Sequence, residues 1–108
     1  MINQQVAENA QEFYFQKAES LAEYKAEMEY LMEFRKSKKA ILSNQFLEEN
    51  PKSPEWKCNN YAYAHPEYLE ILEGIKEGIA RYEKLRFQME SAKMKVNIWQ
   101  TQSANQRV

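Results

Sequence analysis

The sequence predicts an all-α protein: a long antiparallel helical hairpin, coiled-coil-like, whose two helices are joined by a short helical connector. Three observations support this fold class. Only two Gly and three Pro occur among 108 residues, and good helix formers such as Ala, Glu, Lys and Leu are abundant. Apolar residues recur at steps of three and four along two long stretches. All three Pro lie between those stretches, so the chain is expected to reverse there and to form a single helical domain, residues 1–108.

The first helix is expected over residues 5–47. No Gly or Pro interrupts this span, and Asn50 followed by Pro51 is a typical end signal. The apolar residues of the span share one face of a helix. They are Val6, Ala10, Phe13, Tyr14, Ala18, Leu21, Tyr24, Met28, Leu31 and Met32, followed after a basic interruption by Ile41, Leu42, Phe46 and Leu47.

The connector is expected over residues 50–66, which read NPKSPEWKCNNYAYAHP. Ser53, Pro54 and Glu55 match the N-cap, the first position and the first-turn acid of a helix. The connector is therefore predicted to contain one or two helical turns, and these turns carry Trp56.

The second helix is expected over residues 66–100, followed by a polar tail, residues 101–108, that caps an oligomer interface or meets DNA or a partner protein. Gly74 and Gly78 lie four apart on this helix. They either permit close approach of another helix or are glycines tolerated near a first turn. The apolar face of the helix comprises Leu72, Ile75, Ile79, Tyr82, Leu85, Met89, Ala92, Val96 and Trp99.

Two helices of this length cannot bury all of their apolar faces against each other, and 13% of the residues are aromatic. The chain is therefore expected to form a homo-oligomer. The predicted interface residues are Leu72, Ile75, Ile79, Tyr82, Met89 and Val96 on the second helix, with Trp56 and Tyr68 near the connector.

Catalysis and metal binding have few candidate residues, because the chain has one His, one Cys and no Asp. A catalytic dyad would need Cys58 and His65 to converge, and no third group is apparent. Three glutamates at helical spacing, Glu70, Glu73 and Glu77, are interpreted as a solvated face rather than a metal site. The chain is expected not to be an enzyme and to use no cofactor. It shows neither a membrane-spanning run nor a signal peptide, so a cytoplasmic location without a membrane partner is expected.

Charge is segregated along the chain, although the net charge is only −1. Residues 1–32 carry six Glu and two Lys, whereas residues 33–43 carry four basic residues and one Glu. Residues 44–80 carry seven Glu and three Lys, whereas residues 81–108 carry six basic residues and two Glu. Because basic segments lie opposite acidic ones in an antiparallel hairpin, one interpretation is charge matching across the hairpin or between subunits.

The other interpretation is that the basic segments contact phosphates. The run RKSKK at residues 35–39 places four cations on all sides of a helix, so one acidic neighbour cannot pair with every member. Two further lysines precede Trp99, an aromatic ring able to stack on a base. The predicted nucleic-acid-binding residues are Arg35, Lys36, Lys38, Lys39, Lys93, Lys95, Trp99 and Arg107.

Three stretches of sequence carry a family resemblance. They read AHPEYLEIL at residues 64–72, YEKLR at residues 82–86 and KVNIWQTQSANQR at residues 95–107. The chain resembles small helical proteins encoded near recombination genes in bacteriophage and prophage genomes, in which a helix ends in a similar stretch. Its layout also resembles the UvsY family of recombination mediators. That resemblance implies a ring-like oligomer that helps to load a recombinase onto single-stranded DNA, in the cytoplasm of a bacterial host.

Two functional hypotheses follow. The first is a phage recombination accessory protein that binds single-stranded DNA, a recombinase, an annealing protein or a single-strand-binding protein. The second is a coiled-coil adaptor, chaperone or inhibitor that contacts only proteins, through the aromatic residues around the connector. Those residues are Trp56, Tyr61, Tyr63 and Tyr68, for which burial within the tip of the hairpin is the alternative.

Overall fold

A computed structural model describes residues 1–106 and shows an all-α chain of three helices, which confirms the predicted fold class. The helices are α1 (Gln4–Glu49), α2 (Glu55–Ala64) and α3 (Pro66–Gln106). α1 and α3 are the two arms of the helical hairpin, and α2 is the helical connector. Among the described residues, no helix carries an apolar stretch of the length and hydropathy needed to cross a bilayer.

α1 begins where Asn3 caps it. The Asn3 side-chain oxygen accepts a hydrogen bond from the Val6 N–H at 2.8 Å, and its carbonyl accepts one from Ala7 at 3.1 Å. The first bond satisfies a first-turn N–H that has no backbone partner, and the second is the first backbone bond of the helix itself. The helix ends at Glu49, because Pro51 cannot continue it. Asn50 closes the last turn through its backbone N–H and its side-chain amide, which both donate to the Phe46 carbonyl.

The N-cap of α2 is Pro54, not Ser53 as the sequence predicts. Pro54 is extended, with φ −70° and ψ 159°, and no side chain caps the helix. The extended ψ of Pro54 puts this residue outside the first turn, so the helix starts one residue later than expected. The Pro54 carbonyl accepts hydrogen bonds from the backbone of Lys57 and Cys58.

A single residue separates α2 from α3. His65 is extended, with φ −67° and ψ 136°, and its N–H donates to the Ala62 carbonyl at 3.2 Å. Pro66 then occupies the first position of α3, where the missing N–H costs nothing. The His65 Nδ1 accepts a hydrogen bond from the Glu67 N–H at 3.0 Å, so this side chain caps α3.

The contacts of the chain divide it into two units. The first is Ala26–Ile79 and contains parts of α1 and α3 together with all of α2; we call it the three-helix unit. The second joins Met1–Lys25 to the segment that begins at Ala80; we call it the two-helix unit.

The three-helix unit has a small core at the point where α1, α2 and α3 meet. Leu42 of α1 is 1% exposed and Ala62 of α2 is fully buried, and Tyr68 and Leu72 of α3 pack against them. The Phe46 and Tyr61 rings stack with centroids 4.7 Å apart, which adds a second contact between α2 and α1.

Two glycines of α3 face α1 in the three-helix unit. A Cβ added at Gly78 would lie 3.7 Å from the Met28 Cβ, and one added at Gly74 would lie 3.4 Å from the Leu31 Cδ1. As the residue number falls on α3 it rises on α1, so the two helices run antiparallel. Both are ordinary contact distances, so the helices lie in contact at these positions but their approach does not require glycine, and both roles that the sequence left open remain.

The two-helix unit buries three alanines and two larger apolar side chains. Ala7 and Ala10 of α1 are buried, as are Leu85, Met89 and Ala92 of α3. No third helix covers this pair within the unit, and the larger residues of the predicted apolar faces, such as Phe13 and Tyr82, remain half-buried.

α3 continues to Gln106, beyond the end near residue 100 that the sequence predicts. No Gly or Pro stops it, and the Thr101 hydroxyl donates to the Asn97 carbonyl at 3.0 Å. The Gln102 side chain accepts a hydrogen bond from the Ile2 N–H at 3.3 Å, which joins the two chain ends of this unit. The first part of the predicted polar tail is therefore helix rather than an irregular segment.

Candidate nucleic-acid interface

The most basic feature of the three-helix unit is an open groove of about 580 Å³. α1 supplies one wall, and α2 and the start of α3 supply the other. We call it the α1–α2 groove. It is lined by Arg35, Lys36, Lys39, Ala40, Ser43, Asn44, Asn59, Tyr63 and Tyr68.

The lining follows from helical spacing. On α1 it consists of two adjacent rows at intervals of four residues, one headed by Arg35 and the other by Lys36, so all six positions share one face. On α2, Asn59 and Tyr63 are also four apart and face α1. Three of the four cations in the RKSKK segment therefore point into one groove.

The fourth cation of that segment, Lys38, is not among the groove-lining residues. Its ammonium lies 2.6 Å from the Glu67 carboxylate of α3, and its side chain is 22% exposed. The hydrogen bond from Lys38 and its charge lower the pKa of Glu67. This is the charge matching across the hairpin that the sequence suggests, and it applies to one member of the segment.

The three groove cations are only weakly engaged within the chain. Lys36 lies 3.2 Å from Glu33, but both side chains are more than 60% exposed, so water screens this pair. The Lys39 ammonium lies 5.2 Å from the centre of the Tyr63 ring. Arg35 is half-buried and forms no ion pair with any residue between 1 and 106.

None of the glutamates lines the α1–α2 groove. Glu is the most abundant charged residue, with sixteen copies against fifteen Lys and Arg, yet no Glu lines the groove. The lining instead combines guanidinium and ammonium donors with a hydroxyl and two amides. Such a surface matches an anion with several oxygens.

Aromatic rings lie beside these cations. Tyr63 is 48% exposed, and the Tyr68 ring meets it edge-on with centroids 5.4 Å apart. Trp56 precedes Tyr63 by seven residues, which is two helical turns, so both lie on one face of α2. Trp56 is 63% exposed, which leaves a broad aromatic surface next to the basic groove.

The C-terminal candidates lie in the two-helix unit and do not form one cluster. Lys93 lines a groove with Phe15 and Val96, whereas Lys95 lines a different groove with Phe13 and Ala92. Residues two apart on a helix point about 200° away from each other, which accounts for the separation.

Trp99 is half-buried in the same unit, in keeping with a packing role at the end of the apolar face of α3. Arg107 lies outside the described residues.

The predicted interface residues divide into two groups. Ile75, Met89 and Tyr68 are buried by packing within the chain, and Leu72, Tyr82 and Val96 are half-buried. Ile79 is 39% exposed, and Trp56 is the most exposed member of the set.

Several other apolar residues are more exposed than any predicted interface residue of α3, and they are not in the predicted set. Phe15 is 68% exposed, and Phe87, Met94 and Ile98 are between 40% and 61% exposed. The last three recur at seven and four residues, so they form a second stripe on α3, outside the stripe that faces α1. The signal that would have found them is this second periodicity.

Within the part of the chain that the structure describes, no cluster of three His, Cys, Asp or Glu side chains is arranged to hold a metal ion. No protein-family model matches the chain, and comparisons with curated proteins and with solved structures give no match either.

Proposed function

We propose that this protein binds single-stranded DNA through the α1–α2 groove and serves as a non-enzymatic accessory to phage recombination in the cytoplasm of a bacterial host. One observation carries the DNA-binding proposal. In a chain with a net charge of −1, three cations and no carboxylate converge on an open groove beside exposed aromatic rings.

The chemistry of the groove fits a single strand. Lysine and arginine contact phosphates without regard to sequence, and their affinity falls as salt rises because counterions are released. Unpaired bases stack on aromatic rings, at roughly 1–3 kcal/mol per base. Tyr63 and Trp56 are the exposed rings available for this stacking, which would favour no particular base.

The recombination role rests on the sequence resemblance in residues 64–72, 82–86 and 95–107. The resemblance implies that the DNA-bound protein helps a recombinase, an annealing protein or a single-strand-binding protein to exchange on the strand. The exposed stripe on α3, made of Phe87, Met94 and Ile98, supports association with further copies of the chain or with such a protein.

The experiment is light scattering coupled to size exclusion, with and without fluorescent oligo-dT, at low and high salt. The protein is expected to elute as an oligomer, to carry the oligonucleotide at low salt and to release it as salt rises. Wild-type protein that leaves oligo-dT unshifted at low salt, alone and with its recombinase, would overturn the proposal.

Three variants test whether the groove is the site. Lys39→Gln removes a groove cation and is expected to weaken binding. Lys52→Gln removes the same charge from an exposed connector position outside the groove and is expected to leave binding unchanged. The double variant Lys38→Gln/Glu67→Gln removes the neighbouring ion pair without changing the net charge and is also expected to bind normally. Equal loss in all three variants would contradict the assignment of the groove.

A second candidate function is an adaptor or inhibitor that contacts only proteins. The observation in its favour is the exposure of Trp56, Phe15 and Met94, each above 60%. An oligomer that ignores DNA in the same experiment would support this function, because the basic groove would then be open to an acidic protein surface instead.

A further inference from the structure

We propose that a second groove, in the two-helix unit, is an additional contact for single-stranded DNA that holds the sugar–phosphate backbone without stacking bases. This inference rests on the proposed function and extends it to residues that the sequence argument did not select. The groove has a volume of about 280 Å³, and we call it the α1–α3 groove. It is lined by Lys17, Ser20, Tyr24, Arg81, Lys84, Leu85 and Gln88.

Both walls of this groove have helical spacing. On α1 the lining residues follow Lys17 at three and seven positions, and on α3 they follow Arg81 at three, four and seven positions. The Arg81 guanidinium lies 5.5 Å from the centre of the Tyr24 ring, which joins the two walls. Antiparallel pairing thus brings together cations that are more than sixty residues apart in the sequence.

The side chains that line the α1–α3 groove carry an excess of positive charge. The groove is lined by three cations and by no Glu. The two glutamates of α3 in this unit, Glu83 and Glu90, both bond Arg86, at 2.7 and 2.8 Å. Lys17 and Lys84 are exposed, and neither forms an ion pair with any residue in the described part of the chain.

The aromatic ring in this groove is poorly placed to stack on a base. Tyr24 is half-buried, whereas Tyr63 is 48% exposed, and since a cation lies over each ring it is this exposure that distinguishes them. The remaining donors are the two lysines, the Ser20 hydroxyl and the Gln88 amide, which are groups that bond phosphate and sugar oxygens. The α1–α2 groove differs because Tyr63 and Trp56 are exposed beside it. The α1–α3 groove is therefore assigned to the backbone and the α1–α2 groove to both backbone and bases.

The test compares the full-length double variant Lys17→Gln/Lys84→Gln with Lys52→Gln/Lys76→Gln. Both doubles lower the net charge by two, and the second changes exposed lysines outside both grooves. Two probes are used: oligo-dT, and an oligonucleotide of the same length in which every position is abasic. Dissociation constants are measured over a range of salt concentrations, after circular dichroism has shown that each variant retains the helix content of the wild type.

Loss of a phosphate contact lowers the slope of log affinity against log salt by about 0.7 per lysine, which corresponds to about fivefold weaker binding per lysine at about 0.1 M salt. Lys17→Gln/Lys84→Gln is expected to show this loss equally on oligo-dT and on the abasic strand, whereas the control double shows none. Tyr63→Ala is expected to weaken binding to oligo-dT alone.

The possible failures are separable. If wild type binds oligo-dT but Lys17→Gln/Lys84→Gln behaves like the control, the inference is wrong and the proposed function stands. If wild type binds neither probe at any salt, both are wrong. If Lys17→Gln/Lys84→Gln keeps its DNA affinity but loses binding to phosphatidylserine vesicles, the groove belongs to an anionic lipid surface, and the inference is again overturned.

Discussion

The two units bury their apolar side chains in different ways. In the three-helix unit, α2 closes over the contact between α1 and α3, and Leu42 and Ala62 are almost completely shielded from water. In the two-helix unit, only α1 and α3 are present, and the most deeply buried positions include Ala7, Ala10 and Ala92. A third helix permits a core of larger side chains, whereas a pair of helices buries mainly the small residues and the few larger ones directly between them.

The difference shows where large apolar side chains remain uncovered within each unit. The largest exposed apolar side chains of the two-helix unit are Phe15, Phe87 and Met94, and no element of that unit covers them. In the three-helix unit, Trp56 of α2 is the corresponding residue, and it is 63% exposed. A pair of helices with uncovered faces is well suited to assembly, because a second pair can supply the missing layer.

The largest expected effect comes from placing a larger side chain at a buried alanine in each unit. Ala62→Leu inserts a bulky side chain into a closed three-helix contact and is expected to lower the free energy of unfolding by about 1–3 kcal/mol. Ala92→Leu inserts the same side chain between two helices that no third helix confines, so its cost is expected to be smaller. Urea unfolding followed by circular dichroism measures both. An Ala92→Leu variant as unstable as Ala62→Leu would contradict the contrast between the two units.

A smaller effect, of opposite sign, is expected from Gly78→Ala. Alanine favours a helix interior over glycine by about 1 kcal/mol, and the added Cβ would meet Met28 at an ordinary contact distance of 3.7 Å. The variant is therefore expected to be more stable by up to about 1 kcal/mol in the same urea measurement. Gly74→Ala is the matched comparison. Its Cβ would approach Leu31 to 3.4 Å, so it should gain less, and equal or reversed gains would show that helix approach is not what limits these positions.

The smallest effect concerns the ion pair between Lys38 and Glu67 in the three-helix unit. Lys38→Gln removes the cation that lowers the pKa of Glu67, so this pKa is expected to rise towards its ordinary value. Because the pKa of Glu67 is lowered in the folded state, its contribution to stability is present above the pKa of the unfolded state. It is lost as pH falls through the folded-state pKa. Carboxyl carbon chemical shifts measured against pH report the change, with Lys52→Gln as the control. An unchanged Glu67 titration in Lys38→Gln would show that the pair does not persist in solution.

The sequence predicts the helices well because their signals are local. The absence of Gly and Pro from residues 5–47, the three prolines of the connector and the spacing of apolar residues on α3 are all visible within a few turns. The end of α3 was less predictable. Polar residues after Trp99 resemble a frayed terminus, but without a helix breaker and with Gln102 bonded to Ile2 the helix continues.

The candidate grooves were predictable only where their residues are neighbours in the sequence. The RKSKK segment is visible in the sequence as a basic run. Its spacing alone does not show that Lys38 pairs with Glu67 while the other three cations line the groove. Lys17 and Lys84 could not be associated from the sequence. Their proximity depends on the register of two antiparallel helices, and a repeat of three and four residues is compatible with several registers.

The hydrogen bond between Ile2 and Gln102 joins residues that are one hundred positions apart, and it bears on the order in which the chain acquires its structure. Contacts within residues 26–79 close shorter loops, at lower entropic cost, than those of the two-helix unit, whose two segments are separated by all of residues 26–79. On the ribosome, the three-helix unit can form once residue 79 has emerged. The first 25 residues must wait, with Phe13, Tyr14 and Leu21 exposed, until α3 is almost complete. We therefore expect nascent chains that stop near residue 80 to be the form most prone to aggregation and most readily bound by chaperones.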